Sequence, residues 1–327
     1  MELLPDFTLL HPRDIDELVA MRAAHPGARL LAGGTDLLPN MRRGLIDTET
    51  VIAVSDCADL QNIAATDDGL AIGAGVTLDT LSSNDQVRSA YPALAEAAGE
   101  IAGPTHRAMG TVGGNICLDT RCIFYNQSEW WRASNDYCLK YRGETCHVVP
   151  TSKKCYAAYS GDLAAALVIY DAEVEIAGPG GHRRIGIGEL LVDDGMDYLM
   201  LGSDEVLVAA HLPKSTSDLS AGYRKIRVRG SIDFPLAGVA LGLRIEGDKV
   251  ETLRIGLIGT NSNPVLIDAS EELSGKPLDE EAATRIEQLV HKAVSPVRTG
   301  LIQPQYRRRA IAALAANLAR ELVSGAS

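Results

Sequence analysis

Four of the six cysteines, Cys122, Cys138, Cys146 and Cys155, crowd into 34 consecutive positions of a 327-residue chain. The stretch that holds them starts at a glycine turn, Gly110-Thr111-Val112-Gly113-Gly114-Asn115-Ile116. It ends at Ser160-Gly161-Asp162-Leu163, where an apolar helical run begins. Both tryptophans lie inside it, with Phe124, Tyr125, Tyr137, Tyr141, Tyr156 and Tyr159. Thiols this close either ligate a metal, cross-link, or pack as small apolar groups. The first residues, Met1 to Asp6, lack the basic-then-apolar pattern of a secretory signal. No apolar run reaches the length of a bilayer span. The expected location is therefore cytoplasmic, where thiols stay reduced and clustered cysteines point to a metal before disulfides. Packing thiols in a large surface loop are the plain alternative.

The chain is long enough for two or three domains, and its 46% hydrophobic content suits a globular protein with true cores. A formal charge of -12 argues against a nucleic-acid partner, which requires a basic face. Pro12 and Asp14 start a helix that Gly27 ends. Ala28–Ala32 and Thr50–Val54 read as short strands, with a helix opening at Gly33-Gly34-Thr35-Asp36 between them. Residues 1–56 thus form a small α/β unit with a parallel sheet. Residues 57–216 read as a mixed α+β unit: a hairpin around Asp67-Asp68-Gly69, two helices, a cysteine-rich insert at about 119–158, then strands at Ala172–Ile176 and Glu205–Leu212. Lys214–Asp218 reads as a polar linker. Residues 217–327 read as a three-stranded antiparallel sheet (Gly222–Arg229, Gly238–Glu246, Val250–Ile258) with helices at Leu278–Val294 and Gln305–Val323.

Chemistry is expected at the two glycine turns. Leu30-Leu31-Ala32-Gly33-Gly34-Thr35-Asp36-Leu37 runs from a strand into a helix, so its backbone N–H groups are free. The glycines let a ligand approach closely, and the helix start favours an anion such as a pyrophosphate. Thr111-Val112-Gly113-Gly114-Asn115 offers a second such turn. Two converging turns could hold both phosphates of a dinucleotide. Neither has the Gly-x-Gly-x-x-Gly spacing of a nicotinamide fold, and neither is a Walker loop.

Together with Ser160-Gly161-Asp162-Leu163 and Tyr223-Arg224-Lys225, these turns resemble, in content and order, the FAD-binding subunit of the molybdenum hydroxylases, the xanthine oxidase and carbon monoxide dehydrogenase family. The resemblance covers essentially the whole chain. It implies FAD held between the first two units. Leu30 to Leu37 and Thr111 to Asn115 would bind the pyrophosphate, and Asp162 the ribityl or ribose hydroxyls. Ile101, Leu207 and Lys225 would line the adenine and isoalloxazine positions. It also implies two partners, a molybdopterin-binding large subunit and a 2Fe-2S small subunit, in a dimer of heterotrimers.

The insert departs from that pattern: Asp162 stands 46 positions after Ile116, where the family takes a short path. In this it resembles the flavin subunit of 4-hydroxybenzoyl-CoA reductase, in which such an insert binds an extra 4Fe-4S cluster. That implies Cys122, Cys138, Cys146 and Cys155 as ligands, reduced ferredoxin as donor, and reductive dehydroxylation of 4-hydroxybenzoyl-CoA to benzoyl-CoA. Four thiolates suffice for a cubane. Their spacings of 16, 8 and 9 match neither a zinc ribbon nor a compact ferredoxin, and zinc stays the second choice of metal. Two other functions stand open: the flavin subunit of an oxidative hydroxylase with a structural zinc in the insert, and a non-catalytic nucleotide-binding assembly protein. No catalytic residue is expected in this chain.

Overall fold

The computed structural model describes residues 3–324. Three sheets carry the chain in sequence order. The first is parallel, with order β1-β3-β2: β1 is Thr8–Leu10, α1 is Ile15–Ala24, β2 is Arg29–Leu31, α2 is Leu37–Arg42 and β3 is Thr50–Ala53. Asp14 caps α1 by accepting from Glu17 N at 2.8 Å, which trims the helix to a later start than Pro12 suggested. Strand β1 was not foreseen; only three residues long, it carries too little alternation to read.

The second sheet is antiparallel, with order β4-β5-β8-β6-β7. The hairpin of β4 (Ile63–Thr66) and β5 (Gly69–Gly73) forms around Asp67-Asp68 as expected. Five short helices follow: α3 (Leu78–Ser83), α4 (Asp85–Ala90), α5 (Pro92–Glu100), α6 (Pro104–Arg107) and α7 (Val112–Ile116). The cysteine-rich insert holds one, α8 (Glu129–Ser134). Helix α9 (Asp162–Ile169) is buried all round, as an evenly apolar helix must be. Strands β6 (Glu173–Gly178) and β7 (Gly181–Gly186), helix α10 (Ile187–Leu190) and β8 (Val206–Pro213) complete the unit.

The last sheet pairs β9 (Ser220–Ile226), β10 (Ala237–Glu246), β11 (Lys249–Ile258) and β12 (Val265–Asp268), all antiparallel. It has four strands where three were expected. The fourth is a four-residue edge strand pairing only with β11, too short to announce itself beside the turn residues Asn261–Pro264. Helices α11 (Ser270–Leu273), α12 (Glu280–Ala293) and α13 (Pro304–Ser324) follow; α12 and α13 pack a shared apolar face onto it. Helix α9 lies against β10 and β11 as well as α5, so one helix joins the second and third sheets. A β-carbon at Gly256 would strike the carbonyl of Ala165, so the approach of α9 to β11 demands glycine there. Burial of Leu163, Leu167 and Ile169 contributes about 1.5–3 kcal/mol each. No helix among the described residues is long and apolar enough to cross a membrane.

Candidate functional site: two glycine turns and a four-cysteine cavity

The two glycine turns meet. A β-carbon on Gly33 would lie 2.9 Å from Gly110 N and overlap the carbonyl of Met109, so the first turn rests directly on the residues that open the second. Gly34 takes φ +70°, a conformation that favours glycine. Among the described residues, the N–H groups of Gly33, Gly34, Thr35 and Asp36 donate to no protein group. Four free donors at a strand-to-helix turn fit an anionic phosphate. The second turn is built differently. Val112 N donates to Val76 O at 2.9 Å, Gly113 N to Ala74 O at 2.8 Å and Asn115 N to Thr111 O at 2.9 Å. Gly114 N caps on Thr111 Oγ1 at 3.1 Å. These four donors are spent inside the protein. Asn115 Oδ1 accepts from Leu163 N at 3.0 Å and ties that turn to α9.

Asp162 opens α9 and is buried. Its Oδ1 accepts from Tyr223 OH at 2.7 Å and from Lys225 Nζ at 2.9 Å. Burial pushes its carboxyl up, and Lys225 opposes that shift. Tyr223, Lys225, Gly99 and Glu100 also line an open cleft of about 720 Å³ between α5 and β9. Ile101 follows α5 and is half-buried against the main core. Leu207 is buried in β8 within that core.

The insert folds back on the protein. Its neck is a two-residue bridge in which Arg121 and Ala158 exchange backbone hydrogen bonds of 2.8 Å. From the neck, Arg121 Nη2 reaches both carboxylate oxygens of Asp36 at 2.6 Å, and its Nη1 reaches Asn40 Oδ1 at 3.2 Å. Burial pulls the Asp36 carboxyl up and Arg121 offsets it. The buried Arg132 donates to Gly44 O at 3.1 Å and stacks 4.8 Å from the Tyr141 ring. On the far side, Lys154 pairs with Asp193, and Cys155 N donates to Asp194 Oδ1 at 3.2 Å.

All four cysteines of the insert line one small, partly open cavity, walled by Phe124, Tyr125, Leu139 and Val148. Among the described residues no three His, Cys, Asp or Glu side chains converge as a ready site for one metal ion. What suits a metal cluster is the donor set, four cysteines lining one cavity. Burial pushes the Cys122 thiol up to about 11 and the Cys155 thiol to about 12. A ligated metal would hold both as thiolates. Cys57 is buried under the first sheet and Cys117 follows α7; neither lines the cavity.

Residues 5–215 match the family model described as the FAD binding domain in molybdopterin dehydrogenase. The chain belongs to that family. Residues 221–322 match the CO dehydrogenase flavoprotein C-terminal domain. The chain is 26% identical over 325 residues to the xanthine dehydrogenase FAD-binding subunit of Escherichia coli O157:H7, covering 98% of each. It is 32% identical over 256 residues to an aldehyde oxidoreductase FAD-binding subunit of Escherichia coli (strain K12), covering 75% of this chain and 79% of that one. The crystal structure of Cu,Mo-CO dehydrogenase superposes with a TM-score of 0.81 at 23% identity, covering 98% of this chain and 99% of that one, and shares the fold.

Sequence reasoning missed Arg121, Lys140 and Tyr223 as members of the site. Arg121 and Lys140 carry no motif, and their partners Asp36 and Gly195 lie 85 and 55 positions away. Tyr223 sits inside the Tyr-Arg-Lys triplet, where its proximity to Lys225 was the available signal.

Proposed function

We propose that this chain is the electron-transfer flavoprotein subunit of a molybdenum enzyme, with FAD at the glycine turns and a 4Fe-4S cluster in the insert. The single observation that carries the cluster is the convergence of Cys122, Cys138, Cys146 and Cys155 on one cavity. FAD and a cluster together would supply two-electron and one-electron carriers in one subunit.

The chain's own residues act as holders and insulators. The first turn presents the N–H groups of Gly33 to Asp36 to the pyrophosphate, with Leu30, Leu31, Ala32 and Leu37 forming the strand and helix on either side. Thr111, Val112, Gly113, Gly114 and Asn115 brace it. Lys225 and Tyr223 fix the Asp162 carboxylate beside the cleft. Ile101 and Leu207, both at the main core, would line the adenine and isoalloxazine positions. Phe124 and Tyr125 screen the cysteine cavity from water, which influences a cluster's potential. In this reading 1–56 and 57–216 are the two flavin-binding units and 217–327 the C-terminal one, in a cytoplasmic enzyme.

The finer reading is a 4-hydroxybenzoyl-CoA reductase type. Reduced ferredoxin would donate at the insert, and electrons would run through FAD to a 2Fe-2S small subunit and a molybdopterin large subunit in a dimer of heterotrimers. The insert's attachment supports a relay in either direction: its neck residue Arg121 grips Asp36 of the first turn. An oxidative hydroxylase with electrons flowing outward is the second reading, favoured by the dehydrogenase names of the relatives. Replacing Ile123 to Tyr156 with a short linker, in the assembled complex, tests the relay. FAD should stay bound while reduction by ferredoxin is abolished; reduction at the wild-type rate would refute it.

A further inference from the structure

Eleven residues line the cysteine cavity, and Lys140 is the only lysine or arginine among them. Its side chain is 6% exposed, an unusual place for an ammonium group. Nζ donates to Asp119 Oδ1 and to Thr120 Oγ1, each at 2.7 Å, and to the carbonyl of Gly195. The rings of Tyr125 and Tyr198 flank it at 5.3 and 5.4 Å. The cation is therefore locked in one position. On one side it lies over the ring of Tyr125, which walls the cavity. On the other, Tyr198 OH donates to Cys117 O at 2.9 Å, and Cys117 directly follows α7 of the second turn.

Burying a charge is costly unless it is paired and hydrogen-bonded. Asp119 supplies the pairing but is itself more exposed, at 22%, and does not line the cavity. Lys140 therefore borders the cavity, and Asp119 stands behind it. A group there that accepts an electron gains one negative charge, and a fixed cation in a water-poor site stabilises that charge. Net charge and hydrogen bonding are among the main determinants of cluster potentials.

We propose that Lys140 is a positioning residue for electron transfer, whose fixed ammonium raises the reduction potential of the four-cysteine cluster, with Asp119 as the counter-charge that limits the effect. This rests on the cluster reading above. The step it governs is a one-electron reduction of the cluster by a low-potential donor, with no bond made or broken.

The test is a dithionite redox titration of the purified complex, following the low-temperature paramagnetic signal of this cluster, for wild type, Lys140→Met and Asp119→Asn. Iron and flavin content are measured first. Lys140→Met should keep its iron and shift the midpoint to more negative potential by at least a tenfold change in the oxidised-to-reduced ratio, 59 mV for one electron. Asp119→Asn should shift it the opposite way, which a general loosening of the insert would not do. An iron-loaded Lys140→Met with the wild-type midpoint, or both variants moving in one direction, overturns the proposal. If Lys140→Met loses iron, Asp119→Asn decides, and an unmoved or more negative midpoint overturns it. Iron missing from the wild-type insert overturns the cluster reading itself and is recognised before any titration.

Discussion

Replacing Gly33 by alanine perturbs the contact between the two glycine turns with a single methyl group. Gly33 itself does not need the left-handed backbone region, so the effect is one of space. The new β-carbon would sit 2.9 Å from Gly110 N and inside the carbonyl of Met109, both rigid backbone. The first turn must therefore move off the second, carrying the free N–H groups of Gly33 to Asp36 with it. Losing one hydrogen bond to a charged phosphate costs about 1.5–3 kcal/mol, or roughly 10- to 150-fold in Kd. Gly114 is the control. A β-carbon there meets only Thr111 Oγ1, at 3.1 Å, the end of a side chain that can turn aside. Disturbing that cap costs about 1 kcal/mol of stability and leaves the first turn in place. Apoprotein is titrated with FAD by flavin fluorescence, with a thermal melt to confirm folding. Gly33→Ala should weaken FAD at least tenfold and Gly114→Ala by less than threefold. Equal affinities for the two variants would refute the argument that the first turn binds and the second braces.

Two further outcomes follow from buried or networked charges. Arg121→Met removes the partner of Asp36, whose side chain is about a third exposed, so a urea midpoint should show a loss of about 1–2 kcal/mol, below the cost of breaking a fully buried pair. Burial pulls the Glu175 carboxyl up, but hydrogen bonds to His182 and His211, at 2.6 and 2.7 Å, outweigh it and leave it below the usual range. Its stabilisation is therefore present above the unfolded carboxylate pKa of about 4.3 and is lost as pH falls through the lower folded value. Glu175→Gln should lower stability near pH 6 and flatten its acid-side fall in melts taken from pH 6 to 3; an unchanged acid limb would contradict this.

The parallel first unit was legible because Ala28–Ala32 and Thr50–Val54 are apolar runs bounded by turns and a glycine pair. The hairpin around Asp67-Asp68 and the long apolar stripe of α13 were legible for similar local reasons. Edge strands were not: β7 is Gly-His-Arg-Arg-Ile-Gly, mostly exposed and without alternation. Lys214–Asp218, composed like a linker, is an anchored turn, because Thr216 is buried and donates to Tyr170 O at 3.0 Å. At the site, residue type and spacing announced both glycine turns and the group of cysteines. That the cysteines share one cavity depends on chain reversals across 34 residues, and the insert's clasp on Asp36 on a pair 85 positions apart. Neither leaves a local trace. The second turn also read as a donor of N–H groups, whereas Val76 and Ala74 of the neighbouring strand exit consume two of them.

The most direct test of the two-cofactor account is the iron content of the purified complex compared between wild type and single cysteine variants. Alanine at Cys122, Cys138, Cys146 or Cys155 should each remove about four iron atoms per chain, the content of one cubane cluster, with FAD retained, while Cys57→Ala and Cys117→Ser should lose none. Unchanged iron in the four variants, or one zinc lost in its place, would contradict it.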